Sequence, residues 1–259
     1  MNNPLKDRIS VVTGASAGIG EAIARELVAL GSAVVINARR RERLDSLATE
    51  LAARGGRVAT LSGDCTQQAT IDQLLDTAKA RFGREADLIV VNAGRGLSGS
   101  PLTSDDAQWE EMIRLNLTGA ARLIRAAAQR MLTLVPDGGD WRSRPRDIVI
   151  LGSTVGKHIS PFSSMYGSTK FAINSIAEAV RRELAPKGIR VASISPAIVR
   201  SEFQSVAGYD PQKFGAFMDS IGPVLEPSDV ARLLGFMVSQ PAHVEINDVV
   251  IRPTRQDYP

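Results

Sequence analysis

Along the chain, short runs of aliphatic and β-branched residues alternate with stretches whose apolar positions recur every three or four residues. The runs are Ile9 to Val12, Ala33 to Asn37, Val58 to Leu61, Leu88 to Val91, Ile148 to Leu151 and Val191 to Ile194. Runs of this length and apolar content read as strands buried on both faces. Between them, Ile19, Ile23, Leu27 and Leu30 form one helical stripe, Leu44, Leu47 and Leu51 a second, and Ile71, Leu74 and Leu75 a third. Gly31 and Gly55 stand where C-terminal helix caps belong. Strand and amphipathic helix alternating over most of a chain predict a parallel sheet with helices on both faces. The expected class is therefore α/β, a doubly wound, three-layer αβα Rossmann fold. No low-complexity segment or composition shift marks a linker, so residues 1–259 are expected to form a single domain.

Composition adds exclusions. With 44% hydrophobic and 23% charged residues, the 259-residue chain can bury a substantial core without metals or disulfides. Its net charge of +3 is small and its Lys and Arg are dispersed, which argues against a nucleic-acid or membrane partner despite a pI of about 9.2. The single cysteine, Cys65, cannot form an intramolecular disulfide, as suits a reducing compartment, and is expected to be an inert, partly buried thiol. MNNPLKDRISVVTGA lacks a long apolar core and a small-residue cleavage site, and no later segment approaches the ~20 apolar residues of a membrane span, so the expected location is cytoplasmic. The segment Thr133 to Asp147 carries Arg142, Arg144 and Arg146, but a helix-to-strand connection lies at the amino edge of a parallel sheet, away from ligands. A solvated or subunit-contacting loop is expected there.

Candidate chemistry begins right after the first strand. TGASAGIG, Thr13 to Gly20, places Gly14, Gly18 and Gly20 between a strand and a helix. Glycines there permit a tight turn and close approach of a pyrophosphate to the helix amides, although a purely structural turn has the same composition. At the end of the second strand, where an acidic residue would take a ribose 2′-hydroxyl, the chain has Ala38 followed by Arg39 and Arg40. A guanidinium pairs with a 2′-phosphate, so the expected cofactor is NADP(H). A merely basic first helical turn is the other reading, and the helix dipole disfavours it.

SSMYGSTKFA places Tyr166 and Lys170 four residues apart, on one face of a helix. A free tyrosine, with pKa about 10, is a poor proton shuttle near neutral pH. A lysine ammonium beside it is expected to lower that pKa. Ser153 follows the strand Ile148 to Leu151, at the carboxyl edge, where its hydroxyl can orient a substrate oxygen, with Thr154 as the competing hydroxyl. Asn116 lies in a segment expected to be helical, where asparagine is locally unfavourable.

TGASAGIG, Asn92-Ala93-Gly94, Asn116, Ser153 and Tyr166-x-x-x-Lys170, in this order, resemble the short-chain dehydrogenase/reductase family over nearly the whole chain. The resemblance implies catalysis by Asn116, Ser153, Tyr166 and Lys170, with Asn116 kinking its helix and holding a proton-relaying water. The thirteen-residue separation of Ser153 from Tyr166 matches the family and favours Ser153 over Thr154. By resemblance the cofactor is held by Gly14, Ser16, Gly18, Ile19, Gly20, Arg39, Arg40, Asp64, Cys65, Asn92, Ala93, Gly94, Tyr166, Lys170, Pro196, Val199 and Ser201. Asp64 would contact the adenine and Lys170 the nicotinamide ribose. Where the family commonly has Pro-Gly and then Thr, this chain has Pro196-Ala197 and Ser201, which keeps a hydroxyl for the carboxamide. The family commonly forms tetramers, so a homotetramer or homodimer is expected.

The substrate, a small-molecule carbonyl or alcohol, is expected between Arg95 to Leu102, His158 to Met165 and a substrate-loop region near 199–226. Phe203, Phe214, Phe217 and Met218 read equally as a lid or as helix packing. Arg95 and Arg200 are candidates for a substrate carboxylate or for solvent-facing charges. His158 is at most a pocket wall and His243 structural. No His and carboxylate pair has metal-ligand spacing, so no metal is expected. The ending HVEINDVVIRPTRQDYP resembles the NADP-dependent branch acting on 3-hydroxy acids, serine-like alcohols and assorted ketones, which places a small-carbonyl reductase or alcohol dehydrogenase ahead of a 3-oxoacyl thioester reductase. A non-catalytic NADP(H)-binding redox sensor is the alternative of another class. Nucleic-acid binding through Arg39 to Arg43 and the Arg142 to Arg146 loop is a third.

Overall fold

Successive residues of each strand point to opposite faces of the sheet, and that alternation divides the core in two. Val11, Val35, Ile89, Val91, Ile148 and Ile150 pack into one apolar layer, while Val12, Val34, Ile36, Val90, Val149 and Leu151 pack into the other. The computed structural model describes residues 3–134 and 140–258. Its strands are β1 (Ile9–Thr13), β2 (Ala33–Ala38), β3 (Val58–Ser62), β4 (Leu88–Val91), β5 (Asp147–Leu151), β6 (Arg190–Pro196) and β7 (Val249–Ile251). All pair in parallel in the order β3-β2-β1-β4-β5-β6-β7, the doubly wound sheet expected from the pattern. β7 is an addition. It has three residues, too few for a period to show, and it pairs only with the end of β6.

Helices α1 (Gly18–Ala29) and α2 (Arg41–Ala53) cover one face; α3 (Gln68–Phe82) covers the other. The chain continues through α4 (Trp109–Ile113), α5 (Ala120–Thr133), α6 (Ser164–Leu184), α7 (Phe203–Val206), α8 (Pro211–Ile221) and α9 (Pro227–Val238). α5 and α6 join α3 on its face, and α9 joins α1 and α2. The helical stripes do what their spacing predicts: Ile23 and Leu27, then Leu44, Leu47 and Leu51, then Ile71, Leu74 and Leu75 are buried. Each such side chain contributes about 1.5–3 kcal/mol. Gly31 and Gly55, with φ of 97° and 82°, turn the chain out of α1 and α2 in a conformation that a Cβ would strain.

At the amino edge of the sheet a buried ionic seam crosses four strand starts. Arg8 donates to Asp87 Oδ1 at 2.7 Å and to Asp147 Oδ2 at 2.7 Å, and Arg190 donates to Asp147 Oδ1 at 2.6 Å. The solvated or subunit-contacting loop expected before β5 is exposed at Asp140, Arg142, Ser143 and Arg144, and among the described residues the expectation needs correction only at Arg146. Residues 135–139 lie outside the described residues, but Arg146 is buried and donates to the carbonyls of Leu134 and Arg144. Arg142 covers the Trp141 ring at 5.0 Å. Because this loop and Arg39 to Arg43 lie at opposite edges of the sheet, they form no common basic surface. Among the described residues, no helix is long and apolar enough to cross a membrane.

Candidate active site

The chain runs outward from β1 to β3 and returns to β4, so the carboxyl ends of β1 and β4 diverge and open a crevice. Asn92 ties the two ends together: its amide nitrogen donates to the Thr13 carbonyl at 2.8 Å, and its backbone N–H donates to Thr13 Oγ1 at 3.2 Å. Two glycines are required here by space. A Cβ on Gly14 (φ 68°) would lie 2.8 Å from Asn92 Nδ2, and one on Gly20 would lie 2.3 Å from the Gly14 carbonyl oxygen. Gly18 (φ 58°) opens α1 opposite Ser201. No side chain caps the start of α1, which leaves its first amides to receive an anion.

At the adenosine end, Arg40 donates through Nε to Ser16 Oγ at 3.2 Å and through Nη1 to Glu202 Oε2 at 2.9 Å. Arg39 is exposed, 3.6 Å from Glu111. The basic start of α2 lacks any side-chain cap, so the local unfavourable dipole is real. Burial works against ionisation of Asp64, but hydrogen bonds from Thr66, with Arg114 and Arg39 nearby, hold its carboxyl below the ordinary range. Burial, then the Asp64 charge, pushes the Cys65 thiol up to about 11, so it stays protonated. A glycine cradle at a helix start, in a crevice at the carboxyl edge of the sheet, fits a nicotinamide dinucleotide.

Tyr166 and Lys170 project from the first turns of α6 and are both buried, at 7% exposure each. Lys170 Nζ donates to the Leu151 carbonyl at 2.7 Å and lies 5.8 Å from the Tyr166 ring centroid. The expected lowering of the tyrosine pKa is not what these protein groups produce. Burial pushes the phenol well above its ordinary value, and a hydrogen bond with Ser153 pulls it only part of the way back. Burial also lowers the Lys170 ammonium to about 8. Desolvation dominates both shifts, and Lys170 directs its proton at the Leu151 carbonyl rather than at the phenol. Ser153 begins the turn after β5, its Oγ accepting from the Val155 N–H at 3.4 Å, while the neighbouring Thr154 is buried and also borders the cavity.

Asn116 lies in a π-helical turn, Arg114–Gly119, that interrupts one helical run between α4 and α5. Its Oδ1 accepts from the Arg95 N–H at 2.9 Å, and its Nδ2 donates to the Arg95 carbonyl at 2.8 Å and to Thr169 Oγ1 at 3.1 Å. The wider turn presents this side chain inward, where it pins the backbone after Gly94 and the residue beside Lys170.

One cavity of about 1190 Å³ is lined by every residue expected at the cofactor and by Ser153, Tyr166 and Lys170; Asn116 sits behind its wall. Of the four apolar residues expected as a lid or as helix packing, Phe203, Phe214 and Phe217 line it and Met218 does not. Phe203 packs on Tyr166 with centroids 5.4 Å apart, and Phe214 stacks on Tyr209 at 5.0 Å. Arg95 is committed to Glu111 and Gln108, whereas Arg200 is exposed, donates to Glu226 at 3.2 Å and lies outside the cavity lining, the solvent-facing charge of its other reading. His158 and His243 are exposed and outside the cavity, which corrects the pocket-wall and structural readings. Sequence reasoning missed Tyr209, Glu202 and the tail residues Gln256 to Tyr258 as cavity lining. Tyr258 donates to the Ile159 carbonyl, and Gln256 Oε1 accepts from the Ile198 N–H at 3.2 Å. No local motif marks a tail that is brought back over a cavity. Among the described residues, no group of three or more His, Cys, Asp or Glu is arranged to hold a metal ion.

The arrangement can be set beside known proteins. An uncharacterised oxidoreductase of Staphylococcus epidermidis is 31% identical over 249 residues, 96% of this chain and 98% of that protein. The closed form of serine dehydrogenase complexed with NADP+ is 30% identical, with a TM-score of 0.83, covering 96% of each chain. An alcohol dehydrogenase from the archaeon Thermococcus sibiricus, complexed with 5-hydroxy-NADP, is 25% identical, with a TM-score of 0.81, covering 97% of this chain and 99% of that one. The family model of the short chain dehydrogenases matches residues 8–211, which span the glycine loop, the sheet's central strands and the Tyr166/Lys170 helix, so this chain belongs to the short-chain dehydrogenase family and is one of its oxidoreductases.

Proposed function

We infer that the protein is an NADP(H)-dependent oxidoreductase that interconverts a small ketone or aldehyde and the corresponding secondary or primary alcohol, with Tyr166 as general acid and base. The observation that carries this reading is the convergence of Ser153, Tyr166 and Lys170 in one cavity with the glycine loop and the Arg39/Arg40 pair. When bound, the nicotinamide supplies or accepts the hydride.

The protein groups handle the proton. A phenol held protonated by burial suits donation to the oxygen of a carbonyl as negative charge develops there. The Ser153 hydroxyl, on the same side of the cavity, orients that oxygen and stabilises its growing charge. Lys170, with a pKa of about 8, exchanges protons near neutral pH and restores the phenol. Asn116 fixes the backbone at Arg95 and the side chain of Thr169, beside this group. Preference for the phosphorylated cofactor is supported by Arg39 and Arg40 and by the NADP+ in the serine dehydrogenase. Arg95, the arginine of the substrate side that lines the cavity, is engaged by Glu111 and Gln108, which favours neutral carbonyl compounds over 3-hydroxy acids. Residues 1–259 act as one catalytic domain, with a substrate-loop region near 199–226.

The test is NADPH consumption against ketones, aldehydes, 3-oxo acids and acyl thioesters. Turnover of neutral carbonyls that falls at least about 100-fold in Tyr166→Phe, with NADPH affinity kept, is the expected result. Tight NADPH binding with no turnover of any compound would instead indicate a redox sensor, and preference for acyl thioesters an acyl-chain reductase.

A further inference from the structure

Glu202 has no part in the proton chemistry, yet it joins the two ends of the cavity. Its Oε2 accepts from Arg40 Nη1 at 2.9 Å and its Oε1 from Arg43 Nη1 at 2.7 Å, so one carboxylate holds two guanidiniums of the β2–α2 junction. In sequence it stands between Ser201, whose Oγ accepts from the Phe203 N–H at 3.3 Å, and Phe203, whose ring lies 5.4 Å from Tyr166. Arg40 is also bound to Ser16 in the glycine loop. All three groups of the contact are about half exposed, at 46%, 48% and 50%, so water weakens the ion pairs and a ligand can reach them.

We propose that Glu202 is a displaceable latch on the 2′-phosphate subsite. Its carboxylate occupies Arg40 and Arg43, yields to a 2′-phosphate, and on leaving frees the segment that carries Ser201 and Phe203. A phosphate dianion offers more charge and more acceptor oxygens than a carboxylate, so the exchange runs in its favour. A cofactor without that phosphate leaves the latch closed. Glu202 thereby tunes cofactor discrimination and couples it to the mobility of the substrate wall. The proposal rests on the NADP(H) reading above.

Binding of 2′,5′-ADP and of 5′-AMP, which contain no nicotinamide, tests it by calorimetry on the wild type and on Glu202→Gln. Removal of the competing charge is expected to tighten 2′,5′-ADP by about three- to tenfold and to leave 5′-AMP within about twofold. Unchanged or weaker 2′,5′-ADP binding in Glu202→Gln overturns the latch. In hydrogen exchange, 2′,5′-ADP should speed the amides of residues 201–206 relative to 5′-AMP in the wild type; equal exchange with both ligands overturns the coupling. If only the variant prefers 2′,5′-ADP, the latch stands and the NADP(H) reading falls. If the wild type prefers it and the variant behaves identically, the reading stands and the latch falls.

Discussion

Lys170 shares a helix face with Tyr166 but donates its 2.7 Å hydrogen bond to the carbonyl of Leu151, leaving its ammonium 5.8 Å from the phenol ring centroid. The pair is thus held by the end of β5 as much as by the helix. Burial lowers Lys170 from 10.5 to about 8. The group works while protonated, so carbonyl reduction should fall as pH rises through about 8, and a pH–rate profile of Lys170→Met should lack that limb.

The same shift has a stability consequence of opposite direction. Between about 8 and 10.5 the unfolded chain binds the Lys170 proton and the folded chain does not, so wild-type stability rises with pH across that window. Below it the folded protein carries the desolvated charge. Lys170→Met should therefore be more stable than wild type at pH 7, by about 1–3 kcal/mol after loss of the Leu151 bond. Urea unfolding should show this advantage vanish above pH 10.5.

Arg39→Asp places a like charge where the 2′-phosphate is expected. NADPH affinity should fall by about tenfold or more, while NADH affinity should hold or rise. Fluorescence titration with both cofactors gives the ratio, and an unchanged ratio removes Arg39 from the cofactor site.

Gly20→Ala should be poorly tolerated, because its new Cβ would lie 2.3 Å from the Gly14 carbonyl oxygen and 2.4 Å from Asn92 Nδ2. A loss of about 1–3 kcal/mol in stability is expected, together with much weaker NADPH binding as the loop shifts. Gly55→Ala is the contrasting control: nothing lies within 4 Å of its Cβ, so only backbone strain at φ 82° remains.

Asp147→Ala strips Arg8 and Arg190 of a shared buried carboxylate. It should destabilise the fold by about 3–5 kcal/mol in urea unfolding. Because the seam is at the amino edge of the sheet, NADPH affinity of the folded fraction should remain within about twofold.

Much of this molecule was legible in the chain because strand and helix periods are local properties. Val34, Val35 and Ile36 alternate between two apolar layers, and Leu44, Leu47 and Leu51 share one helix face, whatever the rest of the chain does. The glycine loop was equally legible, since a tight turn and a close backbone approach restrict Gly14 and Gly20 by sterics alone. Other features had no local signal. β7 is three residues long and exists by pairing with β6, and the Gln256 to Tyr258 tail reaches the cavity through bonds to Ile198 and Ile159. Arg146 looked like its neighbours Arg142 and Arg144 in sequence, yet it alone of the three is buried.

The sequence by itself determined the six strands β1 to β6, the helices between the first of them, the parallel arrangement and the ordered set Asn116, Ser153, Tyr166 and Lys170, because each shows in spacing over a few residues. Only the tertiary structure decided the electrostatics: which carboxylates meet Arg8, Arg40 and Arg95, where Lys170 sends its proton, and that desolvation raises rather than lowers the Tyr166 pKa. Burial and charge pairing are set by groups far apart in the chain, and a linear pattern does not carry those distances.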